Sequence, residues 1–316
     1  MRIVSLLPST TEILFAVGAG DDVVGVTFEC DFPPAARTRQ VVSLSAMPAG
    51  LSPAEIDVAV RARIAAGEDL YRLDEDALRA IDPDLVVTQD LCAVCAVDVS
   101  TVDAAMSYLG CDGKVLTIDP SGLDDVLASI GVIGAATGHE TAAAELVTDL
   151  CQRLDRVAAT AAALSRPRVA VLEWTDPPFN AGHWVPDMVA AAGAISVLGE
   201  PRARSARIDW ADLAGCRPDL VVVAPCGYHL TAAHDLATEL LATGRLPAGV
   251  PVWAVDADSA FVRPGPRLVD GVEALAAICH PDEFPPRPDV AGYVGMTSAK
   301  TNPSRSTISP TVTSNG

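Results

Sequence analysis

The chain has 316 residues, of which half are apolar and a fifth are charged, and its formal net charge at pH 7 is −19. That length and apolar content allow two domains, each with its own core, and exclude disorder for most of the chain. The acidic balance repels phosphate backbones and anionic lipid, which argues against nucleic acid and membrane surfaces as partners. No uninterrupted apolar run of about 18 residues is present, so no membrane span is predicted.

The first residues are predicted to form a strand and a capped helix. Residues 2–7 are an apolar run of strand length. Ser9 and Glu12 have the spacing of a capping box, in which each side chain satisfies a backbone N–H group of the other residue. Because polar residues interrupt the apolar run so early, we expect no signal peptide and a cytoplasmic location. The eight cysteines are then expected to be thiols, as is usual in a reducing compartment.

The rest of the first 121 residues alternates between strand and helix patterns. The predicted strands are short apolar runs, which is typical of parallel strands that helices cover on both faces. The strands lie at residues 23–27, 41–44, 85–88 and 115–118, and the helices at residues 53–66, 74–81 and 100–109. Residues 1–121 are therefore predicted to form an N-terminal α/β lobe.

Residues 122–166 are predicted to be a helical segment that links this lobe to a second one. A single break at residues 137–139 divides the segment. Its second piece, residues 140–164, would be about 37 Å long at 1.5 Å per residue, which exceeds the length of an average globular helix. We interpret this piece as a rigid helix between two lobes.

The second half of the chain repeats features of the first. The sequence LAGCRPDLVV at residues 213–222 parallels LRAIDPDLVV at residues 78–87, and residues 168–172 resemble the opening strand. The repeat predicts a C-terminal α/β lobe at residues 167–284. The predicted fold is α/β, with two lobes whose central parallel sheets are bridged by one long helix, and with a ligand cleft between the lobes. Residues 285–316 are predicted to be a disordered tail, since Ser, Thr, Asn, Pro and Gly dominate there.

Loops that follow parallel strands hold the candidate ligand contacts, because such strands end on one side of a sheet. Pro8, Ser9 and Thr10 lie at a helix start, where free N–H groups could hold an anion or a carbonyl oxygen; a plain helix cap is the alternative. Gln89 and Asp90 follow a later strand of the same lobe. All five residues are predicted to contact the ligand.

Three cysteines are candidate metal ligands. Cys92 and Cys95 form a Cys-x-x-Cys pair, a spacing that suits zinc or redox chemistry. Cys226 occupies the equivalent loop of the second lobe, and with His183 or His229 it would complete a Cys/His site. Packed thiols and thiols in contact with a ligand are the alternatives, since the sequence has no second Cys-x-x-Cys pair to supply the four ligands of a structural zinc site.

An aromatic cluster follows the first strand of the second lobe. Trp174, Phe179 and Trp184 fall in one short segment, although aromatic residues make up only 4% of the chain. Such a cluster offers flat apolar surface to a large planar ligand, and Gly182 permits close approach of the backbone. Core packing of Trp174 and Trp184 is the alternative. The neutral imidazole of His183 could be an axial ligand to cobalt or iron.

Two further loops of the second lobe add candidate contacts. Tyr228 and His229 follow the repeated strand, and Phe261 and Arg263 follow the next predicted strand. Arg263 is expected to pair either with a propionate or phosphate of the ligand or, structurally, with Asp258.

The sequence contains no catalytic motif of the common kinds. It has no Gly-x-x-x-x-Gly-Lys-Ser/Thr phosphate loop, no Gly-x-Gly-x-x-Gly after the first strand and no Gly-x-Ser-x-Gly elbow. It also has no His-x-x-x-His pair and no acidic calcium loop. The chain is therefore not expected to be an enzyme.

Several segments resemble the cobalamin- and siderophore-type solute-binding proteins of ABC importers, and the vitamin B12-binding branch most of all. The resemblance covers residues 1–282 and is carried by residues 2–12, 18–21, 24–26, 82–87, 182–188 and 258–266. It implies two α/β lobes spanned by a long helix, and a corrinoid, haem or iron chelate as ligand. Without a signal peptide, the chain is more similar to the cytosolic offshoot of that family.

The expected function is that of a binding protein for a corrinoid (cobalamin-like) or related metal chelate, which acts as a cytosolic carrier or sensor. Cobalamin or a related corrinoid is the expected ligand, and contact with an importer is not expected without export. The alternative is a Cys/His metal-binding protein or enzyme that uses the loops of Cys92, Cys95 and Cys226.

Overall fold

The computed structural model describes residues 1–89 and 113–297. In these ranges two α/β lobes follow one another, each built around a six-stranded sheet. No helix of the two ranges is both long and apolar enough to cross a membrane. The helix predicted at residues 100–109 lies outside the described residues.

The sheet of the first lobe is parallel except at one edge. Its strands are β1 (Ile3–Ser5), β2 (Val23–Thr27), β3 (Gln40–Ser45), β4 (Tyr71–Leu73), β5 (Leu85–Thr88) and β6 (Lys114–Thr117), and its helices are α1 (Pro8–Ala16), α2 (Pro53–Ala66) and α3 (Glu75–Ile81). The spatial order is β4-β3-β2-β1-β5-β6, and β4 is antiparallel to β3. From β1, strands β2 to β4 extend the sheet to one side, and β5 and β6 extend it to the other. Sheets of this kind form a crevice at the carboxyl ends of the strands where the side changes, here between β1 and β5.

Two helices lead from the first lobe to the second. They are α4 (Leu123–Thr137) and α5 (Glu140–Ala161), and the 22 residues of α5 give it a length of about 33 Å. Ala143 and Leu150 of α5 pack in the core of the first lobe, whereas Val157 packs in the core of the second, and Leu154 contacts both. The predicted bridging helix is therefore confirmed, although it ends at Ala161 rather than at residue 164.

The second lobe repeats this plan. Its strands are β7 (Arg168–Thr175), β8 (Pro178–Asn180), β9 (Ile195–Ser196), β10 (Leu220–Val223), β11 (Pro251–Val255) and β12 (Ala291–Met296). Its helices are α6 (Val185–Ala191), α7 (Trp210–Gly215), α8 (Leu230–Ala242), α9 (Ala257–Ala260) and α10 (Leu268–Cys279). The spatial order is β12-β11-β10-β7-β8, with β9 also paired to β7, and the two edge strands β8 and β12 are antiparallel to their neighbours.

The sequence repeat corresponds to a repeat of structure. The residues before the two prolines of the repeat, Asp82 in the first lobe and Arg217 in the second, have left-handed φ angles of 47° and 46°. Two positions later, Asp84 accepts the backbone N–H of Arg2 at 2.6 Å, and Asp219 accepts that of Arg168 at 2.7 Å. The same turn therefore ties the end of a helix to the first strand in both lobes.

The capping box predicted at Ser9 is wrong. Helix α1 begins at Pro8, and its N-cap residue Leu7 makes no side-chain cap hydrogen bond. Proline suits this position because its missing N–H group would have had no partner there. Glu12 is bound instead by Arg267, whose Nε lies 2.9 Å from Oε2. A charge-assisted pair of this kind is stronger than a neutral cap.

The start predicted for the disordered tail, residue 285, is too early in the chain. Residues 291–296, which lie in the predicted tail, form β12 and pair with β11. Trp253 and Tyr293 pack edge to face across this pair with ring centroids 5.3 Å apart, and the Thr297 hydroxyl accepts the N–H of Val250 at 2.9 Å. Backbone pairing at a sheet edge needs little apolar sequence, so composition alone did not indicate the strand. The tail beyond residue 297 lies outside the described residues.

Candidate functional site

Strand-end loops of the two lobes meet across a common interface. The Trp174 indole N–H, at the end of β7, donates to the backbone oxygen of Pro53 at the start of α2 over 3.1 Å. Arg263, in the loop after α9, donates to Asp31, which follows β2, over 2.5 Å. These contacts place the carboxyl ends of strands from both lobes at the same interface, which is where α/β proteins bind ligands.

An aromatic pair lies on the second-lobe side of the interface. The rings of Trp174 and Tyr228 are half-buried and pack edge to face with centroids 5.8 Å apart. Half-buried Phe179 sits opposite Trp174 in the β7–β8 pair, so the two side chains share one face of the sheet. Burial raises the pKa of the Tyr228 phenol, which therefore stays neutral. Three of the predicted aromatic contacts thus remain available to a ligand.

Two other predicted contacts are core residues. Trp184 is buried and donates its indole N–H to the backbone oxygen of Phe261 at 2.7 Å, and Phe261 is fully buried. Their prediction as ligand contacts is corrected, because neither side chain has surface to offer. Core packing, the alternative for Trp184, is what the structure has.

The loop at Gly182 is closed by protein rather than open to a ligand. A Cβ atom at Gly182 would lie 2.4 Å from the backbone nitrogen of Ser205 and 2.5 Å from the backbone oxygen of Ala203. His183 has a left-handed φ of 51°, and its backbone N–H donates to Ala203 at 2.6 Å. Its Nε2 is buried without a hydrogen-bond partner among the described residues, and burial lowers its pKa, so the imidazole is neutral. Axial ligation by His183 stays a prediction, and it would require this loop to open.

The residues predicted at the first helix start are engaged within the protein. Ser9 and Thr10 are buried, and the Thr10 hydroxyl lies 2.7 Å from that of Ser5 and donates to Leu7 at 3.2 Å. The Ser9 and Thr10 side chains are therefore not open to a ligand, whereas contact through the backbone N–H groups of this helix start stays a prediction. Pro8 begins α1, Gln89 is buried at the end of β5, and Asp90 lies outside the described residues.

Arg263 lies in a buried ion cluster that joins the lobes. Its side chain is 8% exposed, and its two terminal nitrogens lie 2.5 Å from Asp31 and 2.5 Å from Asp258. The same group lies 3.4 Å from Glu12, which Arg267 also binds at 2.5 Å. Of the two predicted roles for Arg263, the structural pair with Asp258 is therefore present, together with two first-lobe carboxylates.

The environment of the cluster sets the charge of its carboxyl groups. Burial raises the pKa of Glu12 and of Asp258 despite the arginines beside them, and it raises the pKa of Glu29 to about 7. Burial also opposes ionisation of Asp31, but the hydrogen bond and the charge of Arg263 outweigh it and lower its pKa. Burial therefore disfavours the charged form of three of these carboxyl groups, and Arg263 keeps that of Asp31 favoured.

His229 lies at the solvent-exposed rim of this cluster. Its Nε2 is 3.4 Å from Asp31 and 3.5 Å from Asp258, and its Nδ1 is 3.1 Å from Asp256. Among the described residues, Asp31, His229 and Asp258 form a group with the spacing of metal ligands. Cys226 is exposed and does not belong to this group, while Cys92 and Cys95 lie outside the described residues.

Sequence reasoning missed the first-lobe half of the ion cluster. Glu29 and Asp31 follow β2 directly, so the strand-end rule used for the other loops also applies to them. Glu12 was taken as a capping residue, and Arg267 and Asp256 were not singled out. Their partners lie far away in the chain, which no local pattern reveals.

Two α/β lobes whose strand-end loops face each other are the architecture of solute-binding proteins. The chain belongs to the family described as Periplasmic binding protein, whose sequence profile matches residues 3–243. The resemblance noted in the sequence is confirmed at the level of this family.

Three relatives illustrate the match. The uncharacterized ABC transporter substrate-binding lipoprotein YvrC of Bacillus subtilis (strain 168) is 27% identical over 297 residues, which are 90% of this chain and 81% of that protein. A periplasmic heme-binding protein from Pseudomonas aeruginosa has a similar structure, with a TM-score of 0.69, 21% identity and coverage of 94% and 99% of the two chains. The periplasmic vitamin B12-binding protein BtuF of Vibrio cholerae has a TM-score of 0.60 with 19% identity, and the coverage is 87% and 95%.

Proposed function

We propose that this protein is a substrate-binding protein of the ABC-transporter type that binds a corrinoid, or a related planar metal chelate, between its lobes. The observation that carries the proposal is the half-buried pair of Trp174 and Tyr228 at the strand ends that face the first lobe. Aromatic rings at such a position offer flat apolar surface to a macrocycle. The vitamin B12- and heme-binding proteins among its structural neighbours support this ligand class.

The ion pairs that the interface arginines already make favour a corrinoid over haem as the ligand. Haem carries two propionates, which require positive partners, whereas the corrin ring of cobalamin carries neutral amides. Arg263 and Arg267 are already bound by Glu12, Asp31 and Asp258. A propionate would have to displace one of these carboxylates, or lie beside them at a cost in electrostatic repulsion. Amides avoid this cost because they are uncharged.

The role as a cytosolic carrier or sensor goes with this proposal as a prediction. Cell fractionation with an antibody against the chain tests it, and recovery with the exported or membrane fraction would overturn it.

The binding proposal is tested by absorbance titration of hydroxocobalamin, cobinamide and haemin with the full chain, in the presence of EDTA. We expect a shift of the corrin bands that saturates, and a Kd at least about tenfold higher in Trp174→Ala, which corresponds to about 1.4 kcal/mol. Trp210→Ala is the matched control, because the Trp210 ring, at the start of α7, contacts Arg245 and the core of the second lobe. Absence of binding below about 1 mM for all three compounds would refute the proposal.

A further inference from the structure

Both ring nitrogens of His229 face carboxylates. Nδ1 lies 3.1 Å from Oδ1 of Asp256, and Nε2 lies 3.4 Å from Oδ2 of Asp31 and 3.5 Å from Oδ2 of Asp258. Asp31 belongs to the first lobe, whereas the other three residues belong to the second. Three acidic side chains, contributed by both lobes, therefore surround the imidazole.

Asp256 contacts the imidazole of His229 on its Nδ1 side. Asp256 is held in place because its carboxylate accepts the backbone N–H of Ser259 at the start of α9, at 3.0 Å. An Nδ1–H group that donates to this carboxylate leaves a lone pair on Nε2. Nε2 lies near one oxygen each of Asp31 and Asp258, so a cation placed there would meet one imidazole nitrogen and two carboxylate oxygens. A carboxylate that orients a histidine in this way is the usual outer partner of a metal-bound imidazole.

The distances on the Nε2 side fit a bound cation. They exceed the 2.7–3.2 Å range of ordinary N–H···O hydrogen bonds. A tetrahedral ion with bonds of 2.0–2.2 Å keeps its ligand atoms about 3.4 Å apart. The ligand atoms of Asp31, His229 and Asp258 all lie within 4.8 Å of one another. The separations from Nε2 to Asp31 and to Asp258, 3.4 and 3.5 Å, match the tetrahedral value.

The local charge also leaves room for a dication. Asp31 and Asp258 share one buried guanidinium, that of Arg263, which binds Oδ1 of Asp31 and Oδ2 of Asp258, and Asp256 adds a third carboxylate beside His229. The second oxygen of Asp31 contacts Arg37 at 3.3 Å, but the Arg37 side chain is 65% exposed and can turn into solvent. Negative charge therefore remains in excess at the point where Nε2 meets the carboxylates.

We propose that Asp31, His229 and Asp258 bind a divalent first-row transition-metal ion, with Zn²⁺ as the representative, and that Asp256 orients the imidazole. One imidazole and two carboxylates form a nitrogen/oxygen ligand set that such ions accept. Three protein ligands leave a fourth position for water or for a ligand group. Because Asp31 comes from the first lobe, the ion joins the two lobes at the mouth of their interface.

The test uses the full chain, stripped of metal with a chelator and titrated with Zn²⁺ without any corrinoid. We expect one ion per chain by metal analysis after gel filtration, together with a higher Tm, since an ion that binds only the folded state stabilises it. His229→Ala should weaken binding at least about 100-fold, and Asp256→Asn about 10- to 100-fold. His234→Ala is the matched control, because His234 lies on α8 and contacts Thr238 and the Tyr293 backbone.

A second measurement separates this site from cysteine ligation. Co²⁺ bound by nitrogen and oxygen lacks the near-ultraviolet charge-transfer bands of cobalt thiolates, so the wild-type Co²⁺ complex should show none. Full Zn²⁺ binding by His229→Ala, thiolate bands in the Co²⁺ spectrum, or no Zn²⁺ binding below about 1 mM would each overturn the proposal. Corrinoid titrations are made in EDTA, so loss of the metal site leaves the test of the proposed function unaffected.

Discussion

Arg263 of the second lobe donates a hydrogen bond of 2.5 Å to Asp31 of the first, and these residues are 232 positions apart in the chain. The arginine also binds Asp258 at 2.5 Å, so a single buried guanidinium holds carboxylates from both lobes. Removal of one partner from such a cluster leaves the other charges buried and unpaired. The resulting loss of folding free energy is larger than the net stability that the intact pair contributes. The lobes are thus held together by side chains as well as by helix α5.

Arg263→Met is expected to lower the free energy of unfolding by about 3–5 kcal/mol, because it leaves Asp31 and Asp258 buried without their common partner. Urea unfolding followed by tryptophan fluorescence measures the loss. Arg37→Met is the control, since Arg37 contacts the same Asp31 from an exposed position and should cost less than about 1 kcal/mol. Equal losses in the two variants would show that burial does not decide the strength of this cluster.

Gly182→Ala is expected to destabilise the second lobe by about 1–3 kcal/mol, because the added methyl group would overlap backbone atoms of residues 203–205. Backbone atoms cannot turn away as a flexible side chain can. Gly215→Ala is the matched control: among the described residues, no heavy atom outside its own helix and chain neighbours lies within 4 Å of its Cβ position, so the added methyl group should cost little stability. Thermal unfolding distinguishes the two, and an unchanged Tm for Gly182→Ala would contradict the close packing of this loop.

Much of the fold could be predicted from the sequence because its strands are apolar runs with clear ends. The bounds predicted for β2, β5 and α2 agree with the structure, and each is set by a local pattern such as Pro53 at a helix start. The predictions of the capping box and of the tail were wrong, because at both places a partner far away in the chain determines the structure. Glu12 is drawn to Arg267, 255 residues away, and β12 pairs with a strand some 40 residues earlier.

The site was predicted only in part for the same reason. Aromatic residues after β7 and β10 were expected at the interface, and Trp174 and Tyr228 lie there. Trp184 lies in the same aromatic segment but is buried. The sequence of a loop has no regular alternation that would indicate which of its side chains faces inward. The ion cluster depends on how the lobes are placed on α5, and this placement is a property of the packed cores rather than of any segment.

Arg153 connects the bridging helix to α10, and its loss should change how stability depends on pH. Its guanidinium binds both oxygens of Glu273, at 2.9 and 2.8 Å. Burial opposes ionisation of Glu273, but the hydrogen bond and charge of Arg153 outweigh it and lower the pKa of this carboxyl group. A carboxyl group whose pKa is lowered by folding adds stability above its unfolded pKa, and this stability is lost as pH falls through the folded value.

Arg153→Met should therefore cost about 2 kcal/mol near neutral pH and should flatten the loss of stability on the acid side. Urea unfolding at a series of pH values from about 7 to 3 measures both effects. Arg79→Met, which removes an arginine that pairs with highly exposed Asp76, should leave the pH profile unchanged. An Arg153→Met profile parallel to that of the wild type would mean that Glu273 is not stabilised by this contact.

Ligand choice should depend on how the carboxylates bind the interface arginines. Glu12 binds Arg267 through two hydrogen bonds, of 2.9 and 2.5 Å, and Arg267 also lies over the Phe32 ring at 4.2 Å. Glu12→Gln keeps the shape of the side chain but removes its charge. The guanidinium of Arg267 then lacks a full negative partner, and a ligand carboxylate can supply one.

Glu12→Gln is therefore expected to improve the affinity for haem relative to cobinamide by about tenfold, or about 1.4 kcal/mol in the difference of binding free energies. Parallel absorbance titrations of the two ligands measure this ratio. Glu140→Gln changes the net charge equally at an exposed position at the start of α5 and should leave the ratio as it is. An unchanged ratio in Glu12→Gln would mean that the carboxylate-bound arginines do not set the relative affinity for the two ligands.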